Sequence, residues 1–314
     1  AAAARRMFSS LQVRNYRLYF TGQAISLSGT WMQSVAQAWL VLDLSNSGTA
    51  VGLVLAFQTL PVLVLGPLGG IPADRLDKRR LLLVTQAASG VLAAALGLLV
   101  LYDAVRLWMV YGLAAALGFV NLVDNPTRQA FVGEIVGSGR LTNAVSLNSV
   151  LVNLARAIGP AFAGALILTV GVAPCFLINA GSFLASIAAL ALMRPDELAP
   201  HPRSPRQRGQ LRAGLSYVRA NPALYVPLIM MAAVGTLAYE FNVSLPLFAR
   251  YTFAGNAGTY GAMTALMGAG AVVGGLLTAA AGPRAPTSLA RMALLFGGLQ
   301  VATAFAPTLG LALV

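Results

Sequence analysis

Apolar runs of about 20 residues recur along the whole chain, and this feature limits its fold more than any other. At about 1.5 Å per residue, a helix of that length crosses the roughly 30 Å hydrocarbon core of a bilayer. Lipid offers the backbone no hydrogen-bond partners, so a crossing segment must be a helix or a strand of a closed barrel. Barrel strands alternate apolar and polar residues, whereas the run 81–101 is apolar on every side. The pattern therefore predicts an all-α polytopic membrane protein.

Composition excludes several classes of function. The 314 residues are 58% hydrophobic and 10% charged, while a soluble domain carries about 25% charged residues. A net charge of +12 would suggest nucleic acid for a soluble protein, but here the bases lie between apolar runs. One cysteine, Cys175, and one histidine, His201, leave almost no material for a disulfide framework, a zinc site or histidine chemistry. We therefore expect no cofactor, no metal and no enzyme activity.

Nine apolar segments are predicted to be membrane helices. They cover residues 18–42, 50–73, 81–101, 107–128, 142–170, 173–193, 223–249, 258–282 and 288–305. Residues 309–314 resemble the first turns of a tenth helix. We expect a six-helix bundle over residues 1–193, a basic linker with an amphipathic surface helix over 194–222, and an incomplete second bundle over 223–314.

The basic residues between these segments predict the orientation. Loops on one side hold 18 of the 21 Lys and Arg residues, and the other side holds only Arg106 and Arg250. Cytoplasmic loops collect positive charge. The amino terminus is therefore expected on the cytoplasmic side of a bacterial inner membrane.

The most specific motif lies between the second and third segments, over residues 70–80, with the sequence Gly-Ile-Pro-Ala-Asp-Arg-Leu-Asp-Lys-Arg-Arg. It resembles the signature loop of the major facilitator superfamily and departs from it at Asp77, where that family has glycine. The matching positions are Gly70, Asp74, Arg75, Lys78 and Arg79. A small residue permits close helix approach, and a carboxylate can hold an opposing helix end. The resemblance implies a conformational latch, and the alternative is an ordinary basic loop.

Asp124 is predicted to belong to the same latch. It lies in the sequence Asp-Asn-Pro-Thr-Arg near the expected end of the fourth segment. In the superfamily an acid of helix 4 commonly completes a charge relay with the signature loop, which implies a pair between Asp124 and Lys78. The alternative is a carboxylate that caps the turn at Pro126.

The fifth segment carries a packing motif, Gly159-Pro160 followed by Ala163-Gly164. It resembles the helix-5 motif of proton-coupled exporters, with Ala155 in place of one upstream glycine. Small residues allow close backbone contact and proline bends a helix, which suits two halves that move against each other.

Two charges are predicted deep within lipid-spanning segments, Arg156 in the fifth and Glu240 in the seventh. A charge at such depth costs at least about 2.5 kcal/mol on insertion scales and normally faces a cavity or a partner. They are interpreted as parts of the transport pathway, with Glu240 as a carrier of the coupling proton. The alternative is a structural ion pair between them.

A polar stripe follows the first segment: Gln23, Ser26, Thr30, Gln33 or Ser34, and Gln37. The spacing of three and four residues places these side chains on one helix face. Gln33 and Gln37 are interpreted as part of a cavity wall. The alternative is a set of hydrogen bonds that join neighbouring helices.

Four further stretches narrow the resemblance: residues 15–22, 29–33, 124–129 and 245–250. They look like the exporter branch that includes enterobactin exporters and macrolide efflux proteins. This resemblance implies a twelve-helix monomer that exports a siderophore, drug or secondary metabolite in exchange for protons, with the bilayer but no nucleic acid as partner. An uptake symporter or lipid flippase of the same fold, and a membrane-embedded sensor, are the alternatives.

Overall fold

The computed structural model describes residues 8–199, 216–237, 240–280 and 287–313, and within these ranges the regular structure is helical, without strands. Six long helices come first: α1 (Arg14–Ser45), α2 (Gly48–Arg75), α3 (Lys78–Leu101), α4 (Leu107–Val136), α5 (Leu141–Val170) and α6 (Ala173–Ala191). Then follow α7 (Pro222–Leu237), α8 (Phe241–Leu247), a π-helical turn (Phe248–Thr252), α9 (Ala257–Ala280), α10 (Thr287–Ala304) and α11 (Leu309–Ala312). The all-α prediction is confirmed.

Six segments of the described residues are long and apolar enough to cross a bilayer. They are Gly48–Gly66, Lys78–Leu101, Leu107–Val136, Ser138–Val170, Ala173–Ala191 and Leu224–Thr252. Large apolar side chains cover the outside of the helices, with Leu63 79% exposed and Leu294 77% exposed. A soluble monomer rarely presents continuous apolar surface on this scale. The chain is a multi-pass membrane protein.

The first six helices pack around α1. The helix α1 contacts α5 and α6, α2 runs along α4, and α3 contacts α4 and α6. Glycines bring these helices close together: a Cβ at Gly22 would lie 2.7 Å from the Cβ of Ala189 on α6, and a Cβ at Gly118 would lie 2.7 Å from the Gln58 carbonyl on α2. Close backbone approach replaces the hydrophobic driving force that lipid does not supply.

Two apolar cores stabilise opposite ends of this bundle. One surrounds Val41, Leu42 and Phe176, at the end where α1 gives way to α2. The other surrounds Phe131 and Leu190, at the end where α2 gives way to α3. We call these the Asp43 end and the Lys78 end. Between the two cores lies a layer of buried polar side chains that includes Gln23, Gln33, Gln86, Asp124 and Asn179.

The helices after residue 216 contact this bundle along a narrow front. The helix α9 runs along α5, and α8 reaches α1 and α2. An edge-to-face contact between Phe241 and Phe296, with centroids 6.0 Å apart, joins α8 to α10. Residues 216–220 are helical, and the remainder of the predicted linker lies outside the described residues.

Two predicted helices differ from the observed ones. The fourth was expected to end at Arg128, but α4 continues through Pro126 to Val136. Proline at position 126 removes the hydrogen bond to the Leu122 carbonyl, and Gly69 of α2 packs directly against that oxygen. The seventh segment was expected to be continuous, but Glu240 is not helical and forms the N-cap of α8.

Candidate functional site

A polar cavity of about 420 Å³ lies inside the bundle of α1–α6. Amide side chains dominate its wall, with four hydroxyls, one carboxylate and one guanidinium beside them. The amides are Gln23, Gln33, Gln37, Gln58, Gln86, Asn121, Asn125, Asn148 and Asn179. Leucines, Ala114, Val152 and Phe183 complete the lining. Such a surface binds a ligand through many hydrogen bonds around an apolar body.

The predicted polar stripe of α1 forms one wall of this cavity and bonds to two other helices. Gln33 accepts a hydrogen bond of 2.6 Å from the amide of Asn179 on α6. Gln37 accepts one of 3.0 Å from the amide of Gln58 on α2. Both interpretations of the stripe are therefore present together: the side chains line the cavity and also join helices. Gln37 and Gln58 additionally line a smaller pocket of about 60 Å³ with Asn242 of α8.

An ion pair lies within the cavity wall, and it differs from the predicted one. Arg128 donates to Asp124 Oδ2 through Nε at 3.0 Å and Nη2 at 2.5 Å. Thr85 and Gln86 of α3 donate to Asp124 Oδ1 at 2.6 and 3.0 Å. The prediction of a pair between Asp124 and Lys78 is wrong, because α4 extends more than three turns beyond Asp124 and brings Glu134 to Lys78 instead. Arg128, the last residue of the predicted fourth segment, lines the cavity.

Lys78 pairs instead with Glu134, at 2.6 Å, near the end of α4. Next to it, Arg79 donates to the last carbonyls of α6, at 2.6 Å to Leu190 and 2.9 Å to Ala191. A guanidinium at a helix carboxyl terminus satisfies unpaired carbonyls and complements the helix dipole. These two bases of the signature motif thus join α3 to α4 and α6.

The other two charged residues of the motif, Asp74 and Arg75, take no part in these contacts. Asp74 and Arg75 belong to the last turn of α2. Both are exposed, and neither side chain forms a hydrogen bond or ion pair with the residues that the structure describes. The close helix approach expected at Gly70 is not observed: a Cβ there meets open space, whereas a Cβ at Gly69 would overlap the Leu122 carbonyl. The close approach is therefore displaced by one residue, from Gly70 to Gly69.

The packing motif of α5 lies between two neighbours. A Cβ at Gly159 would be 2.6 Å from the Ser28 carbonyl of α1, and a Cβ at Gly164 would be 3.3 Å from the Cα of Gly258 on α9. From the other side, a Cβ at Gly261 would be 2.7 Å from the Pro160 carbonyl. The α5 backbone is therefore in close contact with α1 and with α9 at once.

Arg156 and Glu240 are not partners. The Arg156 guanidinium lies over the Trp31 ring, 4.7 Å from its centroid, an arrangement that stabilises a cation by the ring quadrupole. Glu240 is exposed at the start of α8, where its backbone carbonyl accepts a hydrogen bond from Ser244. The ion pairs among described residues do not include the two together. The break before α8 moves Glu240 out of the continuous helix that the apolar pattern predicted.

A cluster around Arg250 joins the two parts of the chain at the Asp43 end. Arg250 donates to Asp43 at 2.6 Å and to Asn46 at 2.9 Å, and its guanidinium lies 5.7 Å from the Trp39 ring centroid. The Tyr251 hydroxyl donates to the Asn46 carbonyl at 3.0 Å. We call this set of contacts the Arg250 lock.

The seam between α5 and α9 closes only from the Asp43 end to its middle. A Cβ at Gly268 would lie 2.7 Å from the Ala157 nitrogen. Seven residues farther along the same face of α9, toward the Lys78 end, a Cβ at Gly275 would meet open space within 4 Å. Among the described residues, the bundle of α1–α6 and the helices after residue 216 therefore touch at the Asp43 end and separate toward the Lys78 end. We call these two parts of the chain the two halves.

Sequence reasoning missed most of the cavity wall outside α1. The side chains of α4 that line it are Asn121, Asp124, Asn125 and Arg128. Their spacings of three, one and three residues place them on one helix face, and this signal was available. Gln86 and Asn179 stand out as amides within apolar helices, but only the packing shows that they meet.

Comparison with known sequences agrees with this architecture. Residues 6–313 match the family described as transmembrane secretion effector. The staphyloferrin A transporter of Staphylococcus aureus is 23% identical over 83% of this chain and 66% of its own length. The multidrug efflux pump Tap of Mycolicibacterium fortuitum is 29% identical over 70% of this chain and 56% of its own. The enterobactin exporter EntS of Shigella boydii is 26% identical over 83% of this chain and 62% of its own length. The chain spans between about half and two thirds of these relatives.

Among solved structures, a bacterial homologue of the human lysosomal transporter Spinster, in an inward-facing and unoccupied conformation, superposes with a TM-score of 0.68. The alignment covers 96% of this chain and 71% of that one at 15% sequence identity. At this identity the likeness concerns the fold alone, and it agrees with the arrangement of α1–α6 and α9 found here.

Proposed function

We propose that this chain, which belongs to the transmembrane secretion effector family of the major facilitator superfamily, exports a small organic molecule by alternating access in exchange for protons. The membrane is a bacterial inner membrane, with the amino terminus and the Lys78 end in the cytoplasm. The basic residues at the Lys78 end support this orientation.

The observation that carries the proposal is a polar cavity in the bundle of α1–α6, combined with two halves that touch at one end only. The cavity lies in the membrane-spanning bundle, the Arg250 lock joins the halves at the Asp43 end, and the α5–α9 seam parts toward the Lys78 end. A site reached from one side at a time is the geometry that alternating access requires. In this state the cavity is open toward the cytoplasm and ready to take substrate.

The substrate is proposed to be a siderophore, a drug or a secondary metabolite. The relatives named above include a siderophore exporter and a multidrug efflux pump, and nine amides around apolar patches suit a molecule with many hydrogen-bonding groups. Gln33 and Gln37 contribute to its binding from α1. The neighbouring Asn242 of α8 provides contact with the second half.

The signature motif is proposed to act as a latch in the other conformation. Asp74 and Arg75 are exposed here, so they are available for contacts that form when the Lys78 end closes. Lys78 and Arg79 hold α3 against α4 and α6. A group whose contacts exist in only one of two conformations shifts the balance between them.

Glu240 and Arg156 are proposed to belong to the coupling pathway. Both lie close to the junction of the two halves: Glu240 precedes α8, and the Arg156 backbone contacts Gly268 of α9. A carboxylate at such a junction can take a proton in one conformation and release it in the other.

Transport into inside-out membrane vesicles tests the proposed export directly. The vesicles are acidified inside, and three labelled probes are offered: enterobactin, staphyloferrin A and a lipophilic cation dye. An exporter driven by protons accumulates at least one probe, and an uncoupler abolishes the accumulation. An uptake symporter would instead accumulate the probe only in right-side-out vesicles, which would refute export.

A further inference from the structure

One amide of the cavity wall, that of Gln86 on α3, carries an oxygen that no neighbour uses. The residue is 2% exposed and lines the cavity, and its buried Oε1 accepts no hydrogen bond from the described residues. Buried polar atoms in folded proteins nearly always have a partner. An unused acceptor in the wall of a cavity therefore indicates a place for a donor that a ligand brings.

The neighbouring Asp124 fixes the orientation of this amide. Gln86 Nε2 donates to Asp124 Oδ1 at 3.0 Å, and Thr85 donates to the same oxygen at 2.6 Å. If the amide were turned over, its oxygen would face a carboxylate oxygen, and neither of these atoms has a hydrogen to donate. Gln86 Oε1 is therefore held on the side of the amide that faces away from Asp124.

The glutamines of α1 that line the same cavity differ from this α3 amide, because their oxygens are in use. Gln23 accepts from Arg128 and donates to Ser186 at 3.3 Å, so both ends of its amide are paired. The oxygens of Gln33 and Gln37 accept from amides of α6 and α2. Within the described cavity wall, the α3 amide thus provides the one buried oxygen that awaits a donor.

An aromatic ring lies on the cavity wall about one helical turn from Gln86. Phe183 of α6 lines the cavity and is 8% exposed. It packs against α3 at Gly90, where a Cβ would lie 3.3 Å from the Phe183 Cβ. Ser89, the residue before Gly90, lines the cavity as well. An aromatic face beside a hydrogen-bond acceptor suits a flat apolar body with a polar edge, since aromatic rings pair by offset stacking or edge-to-face contact.

We propose that Gln86 and Phe183 form a subsite for a substrate with a flat aromatic body and an N–H or O–H group at its edge. The donor satisfies Gln86 Oε1, and the ring lies against Phe183. An analogue in which that hydrogen is replaced by a methyl group leaves a buried acceptor unsatisfied, which should weaken binding about tenfold. The inference rests on the proposed exporter function and narrows its substrates to aromatic amines and phenols.

Three rhodamine dyes test the subsite, because they share a flat xanthene ring and the same positive charge. Rhodamine 123 and rhodamine 6G carry N–H groups, whereas tetramethylrhodamine methyl ester has a methyl group in place of every amine hydrogen. Rhodamine 6G is larger than the methylated dye, so size alone cannot explain a preference for both N–H dyes. Fluorescence anisotropy measures binding to the purified protein in nanodiscs, with empty nanodiscs as the blank. The wild type should bind both N–H dyes about tenfold more tightly than the methylated dye.

Two variants show whether Gln86 causes the preference. Gln86→Met keeps the length of the side chain and removes the acceptor, so the three dyes should bind with about equal affinity. It also removes a donor to Asp124. Thr85→Val controls for that loss, because Thr85 donates to the same carboxylate oxygen but does not line the cavity in the described structure, and this variant should keep the preference. Gln86→Leu serves if the methionine variant does not fold.

The results separate this inference from the exporter function. Equal binding of the three dyes to the wild type, no binding of any of them, or a preference that survives in Gln86→Met would overturn the subsite. Proton-driven transport of a probe in inside-out vesicles, combined with any of those results, defeats the subsite alone. A preference that Gln86→Met abolishes, without proton-driven transport of any probe, defeats the exporter function and supports the subsite.

Discussion

Replacing Arg250 with glutamine removes the charged centre of the Arg250 lock. Arg250 bridges Asp43 and Asn46 from the second half of the chain and lies against Trp39. If the lock holds the Asp43 end closed, its contacts exist in the state described here and are lost when that end opens. Arg250→Gln should then raise the population of molecules that are open at the Asp43 end.

The size of the effect follows from exposure and geometry. The ion pair is partly exposed, with 27% of the Arg250 side chain and 46% of the Asp43 side chain accessible, so it contributes about 0.5–1 kcal/mol. The hydrogen bond to Asn46 and the contact with Trp39 add about 1 and about 0.5 kcal/mol. Glutamine keeps one hydrogen bond, so the net loss is about 1.4 kcal/mol, which corresponds to a tenfold change in the ratio of the two states.

Labelling of a cysteine in the cavity measures that ratio. Ser34 lines both pockets, and the single native cysteine, Cys175, is fully buried. In a Cys175→Ala background, Ser34→Cys should react with an impermeant maleimide from outside intact cells only when the Asp43 end opens. Arg250→Gln should raise the labelling rate about tenfold, since the rate follows the open population.

Two controls decide whether the lock is the cause. Arg106 is exposed on the same side and forms no side-chain cap at the start of α4, so Arg106→Gln should leave the labelling rate unchanged. The double variant Asp43→Asn, Arg250→Gln should label at nearly the same rate as Arg250→Gln alone, because the two substitutions remove the same ion pair. Equal labelling of Arg250→Gln and Arg106→Gln would refute the lock.

The other expected outcomes concern the latch, the coupling acid and the packing motif. Asp74→Asn should slow vesicle transport at least about tenfold while probe binding changes less than about twofold, because Asp74 acts on the conformational balance; normal transport at normal protein levels would contradict the latch. Glu240→Gln should abolish proton-driven transport but permit probe exchange, because the amide imitates the protonated acid; full coupling in this variant would remove Glu240 from the pathway. Gly159→Ala should cost about 1–3 kcal/mol of stability, since its methyl would lie 2.6 Å from the Ser28 carbonyl. The matched Gly181→Ala, where a Cβ meets open space, should leave the thermal unfolding midpoint unchanged or higher, and equal midpoints below that of the wild type would disprove the close contact.

The helices could be predicted because hydropathy reports directly on contact with lipid. Helix ends were harder, since local signals compete with packing. The fourth segment was predicted to end at Arg128, two residues after Pro126, but α4 continues to Val136, and Gly69 of α2 packs against the Leu122 carbonyl that Pro126 leaves without its donor. The interruption before α8 left no trace in hydropathy, as the residues around Glu240 are mostly apolar.

The candidate site could be predicted only in the parts that one helix reveals by itself. The stripe of α1 is visible as a periodic pattern and lines the cavity. The partners in the ion pairs could not be predicted, because they depend on how neighbouring helices are staggered. Lys78 was paired with Asp124 on the assumption of a shorter helix, and the observed partner is Glu134, ten residues farther along. The same assumption placed Arg128 at the end of the fourth segment, whereas it lies within α4 and lines the cavity.

Two distances measured in the same protein test alternating access most directly. Spin labels at Thr49 and Thr252 report on the Asp43 end, and labels at Val145 and Leu277 report on the Lys78 end across the α5–α9 seam; all four residues are exposed. Pulsed electron–electron double resonance is recorded in nanodiscs at several pH values, with and without a transported probe. Alternating access predicts opposite changes: wherever the first distance lengthens, the second shortens. Two distances that lengthen together, or one that changes while the other stays constant, would contradict the account.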